Sequence, residues 1–204
     1  MINVLRKLLF VAAVALLSLA PSALADSAVY VDGSYAFANN GNGIPPYGGT
    51  LNGQAASFYC VDFSHDITGG DSWLALTAPV MPGGNYGSTY LKNGTCYLEF
   101  AWLLTQMTDT ADQTQQAAYQ WAIWGLTGGS DPFAGADSAS NLLGEAYWAV
   151  SNGYNGQGWE ILTPGPGQYG QEFLVQTPEP SSLLLLGAGV CGLLFLKRRE
   201  QLLS

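Results

Sequence analysis

Two apolar segments, each next to positive charge, occupy the ends of this 204-residue chain and confine the folded body to the residues between them. At the N-terminus, two cations precede the uncharged run 8–19, and small residues follow at Ala23 and Ala25. This order is typical of a secretory signal peptide that signal peptidase removes. The run is shorter than the roughly 20 residues of a relaxed transmembrane helix. We therefore predict a signal helix over residues 1–25, cleaved before Asp26.

The C-terminal segment is also short and apolar. Residues 181–196 carry no charge, and Lys197, Arg198 and Arg199 follow them directly. This length lies just under the low end for a spanning helix, about 17 residues. Cations beside an apolar segment favour the cytoplasmic side, so the body would face away from the cytoplasm. We predict a short hydrophobic transmembrane helix, and its removal or retention stays open.

The body between these segments is strongly acidic. Residues 26–179 contain fourteen carboxylates and a single cation, Lys92, which gives a formal charge of −13, whereas the whole chain carries −9. Binding to nucleic acid depends on clustered cations that contact phosphates. The composition therefore excludes nucleic acid as a partner and is typical of a well-solvated exported protein.

The hydrophobic pattern of the body changes period along the chain. Short stretches bounded by Gly, Pro and Asn predict strands, in the segments 27–38, 56–63, 71–80, 158–164 and 172–177. A glycine-rich stretch, residues 81–94, predicts a mobile, exposed loop. The fold class expected for residues 26–176 is α+β, a sheet-rich body with an insert of two to three helices.

Helical spacing of apolar residues defines that insert. The first helix covers residues 95–107 and has one apolar face, formed by Tyr97, Phe100, Ala101 and Leu104. Thr110 and Gln113 fit a capping box that begins the second helix, and Gly128 is its expected end. The third helix covers residues 137–152, and its inward residues are expected to be Leu142, Leu143, Ala146, Tyr147 and Val150.

The cysteines suggest one covalent link. Cys191 lies in the C-terminal segment, which leaves Cys60 and Cys96 in the body. Two cysteines in an exported protein usually pair. A disulfide between them would close a loop of about 37 residues and contribute roughly 3–4 kcal/mol. From the residues alone, Cys60 can pair with Cys96 or stay free.

The C-terminal segment resembles a known sorting signal. Pro178, Glu179 and Pro180, then the apolar run, then the three cations at 197–199, resemble the PEP-CTERM signal over residues 177–204. The resemblance implies recognition by an exosortase in a Gram-negative bacterium and processing near the Pro-Glu-Pro motif. It also implies transient anchoring in the inner membrane and delivery to the cell surface or matrix, often with exopolysaccharide.

Two stretches of the body resemble the thioester domain of bacterial surface adhesins. They are "FYCVDF" at 58–63 and "AAYQWAIWGLTGG" at 117–129. The resemblance implies an internal thioester between the Cys60 thiol and the Gln120 side chain, able to acylate an amine-bearing partner. One position departs from the family pattern, because Tyr119 stands where a threonine usually precedes the glutamine.

That chemistry needs further groups. Loss of ammonia from the glutamine needs a proton shuttle, and Asp62 or His65 are the candidates. A thioester also has to be kept from water, and the aromatic residues near the two stretches are candidates for that cover, namely Tyr59, Tyr119, Trp121 and Trp124.

The residue types of the chain also bear on metal binding and hydrolysis. With one histidine, the chain offers no imidazole-based metal cluster, and no cofactor is expected. A hydrolase acting on exopolysaccharide would need two paired carboxylates, for which the candidates are Glu99, Glu145 and Glu160. The function expected is a non-enzymatic surface or matrix module of the binding or adhesion type. Its alternatives are the hydrolase and a disulfide-stapled module without covalent activity.

Overall fold

A computed structural model describes residues 26–133 and 135–177 of the chain. The predicted signal helix with its cleavage site, and the sorting signal from Pro178 onward with its apolar helix, lie outside these residues. Among the residues described, no helix has both the length and the apolar character that a membrane crossing requires.

Six antiparallel strands close into a barrel, in the order β1-β4-β5-β8-β7-β6. A separate two-stranded hairpin, β2–β3, follows the first barrel strand. The bounds are β1 Asp26–Val31, β2 Phe37–Asn39, β3 Asn42–Ile44, β4 Tyr47–Leu51, β5 Gln54–Cys60, β6 Ser72–Pro79, β7 Trp159–Pro164 and β8 Phe173–Gln176.

Three helices form one insert between β6 and β7, and they pack against one another. They are α1 Gly94–Asp109, α2 Gln113–Gly125 and α3 Ala139–Ser151, and a single 3₁₀ turn covers Gly135–Asp137. The prediction of an α+β body with a helical insert is confirmed. The whole predicted inner face of α1 is buried.

The start of α2 differs from the predicted capping box. Asp112, not Thr110, is the N-cap, and its carboxylate accepts a hydrogen bond of 2.8 Å from the backbone N–H of Thr114. A charged carboxylate at this position also interacts favourably with the positive end of the helix dipole. Thr110 instead ends α1. The helix stops at Gly125, three residues before Gly128, which adopts a left-handed φ of 113° beyond the end.

The inner face of α3 is narrower than predicted. Leu142 and Ala146 are buried, but Tyr147 is 62% exposed, so its inward placement is wrong. The reason is that α3 packs mainly against α1 and α2, with a smaller contact to the 3₁₀ turn before it. A helix at the outside of a layer buries one stripe, and Tyr147 lies beyond its edge.

Strand β4 was not predicted, because its sequence "YGGTL" looks like a loop. Gly49 is needed there: a Cβ on this residue would lie 2.0 Å from the main-chain oxygen of Tyr30 on β1. The close approach lets β4 pair with β1 and close the barrel. The Asn52-Gly53 turn after it has two left-handed residues, with φ of 53° and 78°, as tight hairpins prefer.

The glycine-rich loop between β6 and α1 is less exposed than predicted. Tyr86 in this loop is buried and stacks on Tyr97, with ring centroids 5.4 Å apart. Its hydroxyl accepts a hydrogen bond from the Met81 N–H and donates one to the Met81 carbonyl, each 2.8 Å long. The loop is therefore fixed to the helical layer at its centre.

Aromatic side chains fill the barrel around Phe173. Its ring centroid lies 5.5 Å from that of Phe58, 5.8 Å from Trp73 and 6.1 Å from Tyr47. Cys60 is the cross-strand partner of Phe173 and so points to the same side of the sheet. The packing thus places the last residue of β5 at the end of this aromatic core.

Candidate functional site

Cys60 lies at the C-terminal end of β5 and has no exposed surface. Its thiol donates to the main-chain oxygen of Asp62 at 3.1 Å and accepts a hydrogen bond of 3.4 Å from the indole Nε1 of Trp124. Burial, with smaller contributions from the charges of Asp62 and Glu172, raises the pKa of this thiol to about 12. The resting group is therefore a neutral thiol shielded from solvent.

Helix α2 brings Gln120 to the same point. This side chain is fully buried, and its amide Nε2 donates a hydrogen bond of 2.8 Å to the main-chain oxygen of Cys60. The carbonyl Oε1 of Gln120 finds no hydrogen-bond partner among the residues described. Gln120 and Trp124 are one helical turn apart, so a single face of α2 presents both groups to Cys60.

The second body cysteine has a different neighbourhood. Cys96 lies in the first turn of α1 and is partly buried. Both Cys60 and Cys96 are free thiols in this structure. The residue beside Cys60 is thus Gln120, and no disulfide joins the two cysteines.

Aromatic rings cover one side of the Cys60–Gln120 pair. Phe63 packs against Trp121 and Trp124, with centroid distances of 5.7 and 5.3 Å. Of the predicted covering residues, the two tryptophans lie here. Tyr59 instead packs edge-on against Trp159 at 5.3 Å. Phe63 was missed as a covering residue, although it ends the motif that contains the cysteine.

The two candidate proton-shuttle residues lie together just after β5. The buried Asp62 carboxylate is 2.5 Å from Nδ1 of His65 and accepts from both the N–H and the hydroxyl of Ser64. It is the main-chain oxygen of Asp62 that contacts the Cys60 thiol. In the part of the chain that the structure describes, the Asp62–His65 contact is the sole one at salt-bridge distance between an acidic and a basic side chain.

A second buried carboxylate, Glu172, lies next to the segment that follows Cys60. It accepts hydrogen bonds from the hydroxyls of Tyr97 and Thr163 and from the N–H of Tyr90. Its main-chain oxygen accepts from Val61, next to the cysteine, at 3.1 Å. Burial raises the pKa of Glu172 despite these donors. The network ties α1, β7 and the loop before α1 to the segment after Cys60.

A cleft of about 460 Å³ opens beside the site. Trp124 lines it and also contacts the sulfur of Cys60, so one side chain separates the cleft from the thiol. Gln171 lines it too, and its amide donates to the main-chain oxygens of Asp62 and His65. Phe63, Tyr47 and Asp66 form further parts of its wall. Cys60 itself does not line the cleft and has no exposed surface.

Sequence reasoning did not identify Gln171 or Glu172. Both lie more than 100 residues after Cys60 and have no motif around them. Only the pairing of β5 with β8, at Cys60 and Phe173, places them beside the cysteine. That pairing is long-range and had no local signal.

The carboxylates considered for hydrolysis lie on three different elements. Glu99 is on α1, Glu145 on α3 and Glu160 on β7. Glu145 lines a groove between α1 and α3, and none of the three lines the cleft beside Cys60. Within residues 26–133 and 135–177, no three potential ligands among His, Cys, Asp and Glu form a metal cluster.

The comparisons with known proteins identify one segment of the chain. Residues 176–199 match the family described as the PEP-CTERM protein-sorting motif. No curated protein and no solved structure matches the chain. The match supports the predicted sorting signal, and the thioester-domain resemblance has no such support.

The motif indicates an exported protein that an exosortase recognises. It implies transient attachment to the membrane, followed by release to the cell surface or the extracellular space. The C-terminal motif therefore indicates where the protein goes, and it says nothing of what the folded body does.

Proposed function

We propose that the exported body forms an internal thioester between Cys60 and Gln120 and serves as a covalent adhesion module at the cell surface or in the matrix. The exosortase-type motif gives the protein an extracellular setting. In that setting, a stored acyl group would let the module attach to an amine-bearing partner. The role needs no cofactor and no turnover.

The observation that carries the proposal is the burial of Gln120 against Cys60. The amide of Gln120 is held 2.8 Å from the main-chain oxygen of residue 60, and its own carbonyl has no partner among the residues described. An unsatisfied buried polar group costs about 1–3 kcal/mol. Leucine here would avoid that cost but would remove the donor to the main-chain oxygen of Cys60, so hydrogen bonding explains the amide nitrogen and leaves the buried carbonyl unexplained. The glutamine is therefore better explained by chemistry than by packing.

The proposed reaction balances without an external oxidant or reductant. The sulfur of Cys60 attacks the side-chain carbonyl carbon of Gln120, and a carbon–sulfur bond replaces the carbon–nitrogen bond. The thiol proton goes to the departing nitrogen, which leaves as ammonia. The acid–base pair formed by a buried Asp62 and a partly exposed His65 begins two residues after Cys60, and either residue is a candidate to assist this transfer.

The surroundings suit a stored acyl group. The rings of Phe63, Trp121 and Trp124 keep bulk water from the bond, which slows hydrolysis. The cleft beside Trp124 is the proposed entry for an amine, which would require movement of that side chain because Cys60 has no exposed surface. An amine that reaches the bond would take the acyl group as an amide and release the Cys60 thiol.

Mass spectrometry of the purified protein tests the proposal directly. The bond lowers the intact mass by about 17 Da, and peptide mapping should join the peptides that contain Cys60 and Gln120. Methylamine should open the bond and add to the Gln120 peptide. Cys60→Ala and Gln120→Ala should each abolish both signals.

Cys96→Ala is the matched control, because it removes a thiol from the same body and should leave the mass loss unchanged. A disulfide would instead lower the mass by about 2 Da and ignore methylamine. A wild-type protein with two alkylatable body thiols and its full calculated mass would refute the thioester.

A further inference from the structure

A groove of about 650 Å³ is lined by residues of the helical layer alone. It runs between α1, which contributes Trp102, and α3, which contributes Gly144, Glu145 and Trp148. A volume of this size is within the range of pockets that bind extended small ligands, about 300–1,000 Å³. The groove has no part in the thioester chemistry.

Trp148 is the most unusual residue of the groove. Its side chain is 68% exposed, although tryptophan is strongly apolar and is normally highly buried. Trp102 on α1 is partly buried in the opposite wall. Trp102 and Trp148 do not stack on each other; of the six tryptophans, the described residues contain ring pairs only for Trp73, Trp121, Trp124 and Trp159. The groove therefore presents two separate aromatic platforms.

Gly144 gives an independent indication that the groove is kept open. It lies in the interior of α3, where glycine weakens a helix relative to alanine. Its backbone does not adopt a positive φ, and a Cβ at this position would meet no atom within 4 Å. Neither packing nor backbone conformation therefore requires glycine here. The glycine therefore leaves the part of the groove that it lines free of any side chain.

The groove carries negative charge, which favours a positively charged ligand. Asn141, Glu145 and Trp148 lie on one face of α3, so a carboxylate and an amide stand beside the exposed indole. Asp137 lies nearby: its charge and that of Glu145 both help to raise the pKa of Tyr119, after burial. The groove lining contains no cation. A ligand with flat apolar faces and positive charge complements these groups.

We propose that this groove binds a glycan chain of amino sugars with free amino groups. The two indoles stack on the apolar faces of sugar rings, and Glu145 pairs with an ammonium group of the chain. Two separate indoles can each stack on a different sugar ring of a polymer, whereas a small ligand with one ammonium group would use only one of them. The acidic body excludes polyanionic glycans by charge repulsion.

Binding of a glucosamine hexamer to the purified full chain tests this assignment, by calorimetry and tryptophan fluorescence at low and moderate salt. Trp148→Ala should weaken binding about tenfold or more, and Glu145→Gln should remove most of its salt dependence. Gly144→Leu should block the groove, while Gly144→Ala should raise the melting temperature. Tyr169→Ala, which truncates another exposed aromatic residue on the loop before β8, is the control and should bind normally.

Two outcomes overturn the proposal. One is binding of the hexamer that neither Trp148→Ala nor Gly144→Leu weakens. The other is equally tight binding of a neutral glucose hexamer, an N-acetylated hexamer or a lysine tetramer, because each lacks either the free amine or the sugar ring. Cys60→Ala should bind the hexamer like wild type, so the result separates this groove from the thioester.

Discussion

The two thiols of the folded body lie in opposite environments. Cys60 ends a barrel strand, is fully buried and has Trp124, Gln120 and the Asp62 main chain around it. Cys96 begins a helix, is only partly buried and has the charge of Glu99 near it. The difference is that hydrogen-bonding groups converge on Cys60. The surroundings of Cys96 are those of an ordinary half-buried residue.

The sharpest test of this contrast is the reactivity of the two thiols. In Gln120→Ala, where no thioester can form, Cys96 should react with an alkylating reagent at least about a thousandfold faster than Cys60 at pH 8. Burial raises the pKa of both thiols, to about 12 for Cys60, and the thiolate is the reactive form. Quenched alkylation followed by peptide mapping gives both rates in one sample.

The same experiment in urea is its control, since unfolding should bring the two rates within a few-fold of each other. Rates that are already similar in the folded protein would mean that Cys60 is not sealed. As the pH is raised, the labelling of Cys96 should speed up first, because burial raises the pKa of its thiol less than that of the Cys60 thiol.

The next largest effect is expected at the buried carboxylate Glu172, and it concerns the free energy of unfolding. Glu172→Gln places an N–H₂ among three donors, from Tyr97, Thr163 and Tyr90, and should lower the free energy of unfolding by about 1–3 kcal/mol. Glu160→Gln is the matched control: its carboxyl is half-buried, so the change should stay within about 0.5 kcal/mol. Urea unfolding measures both variants, and equal values would contradict the network.

The pH dependence of these variants sharpens the test. Burial raises the pKa of Glu172 above its unfolded value. The protonated carboxyl is therefore favoured by folding, and this contribution is complete below the unfolded pKa, about 4.3, and lost as pH rises through the folded pKa. Glu172→Gln should remove that part of the pH dependence.

The smallest expected difference concerns packing at the two thiols. In the Gln120→Ala background, Cys60→Ala should lower the free energy of unfolding by about 1–2 kcal/mol, because it leaves a small cavity at the barrel end. Cys96→Ala should change it by less than about 0.5 kcal/mol. A larger loss at Cys96, measured by urea unfolding, would reverse the contrast between the two sites.

Much of the helical insert was predictable, because helix packing leaves a local pattern. The inner face of α1 is the apolar face that the 3.6-residue period predicts. Tyr147 was misplaced because periodicity cannot tell how wide a stripe the neighbouring helices cover. Strand β4 was missed because the glycine that permits its close pairing, Gly49, is read locally as a loop signal.

The candidate site was predictable only as far as its motifs reach. Cys60, Gln120 and Trp124 stand in two short stretches whose resemblance to one family drew attention to them. Gln171 and Glu172 come to the same place through the pairing of β5 with β8, which no local pattern announces. Likewise, the packing of α2 on the barrel, and no local pattern, determines that the neighbour of Cys60 is Gln120 and not Cys96.

Closure of the six-stranded barrel has a consequence for a protein released into a crowded matrix. Each of the six strands pairs on both sides along at least part of its length, so none presents a wholly unpaired backbone edge to a neighbouring molecule. The paired stretches of the barrel therefore cannot accept a strand from a second copy, and the β2–β3 hairpin is the sheet with unpaired edges among the residues described. Permanent links between such molecules and their surroundings would have to be made by individual side chains, one bond at a time.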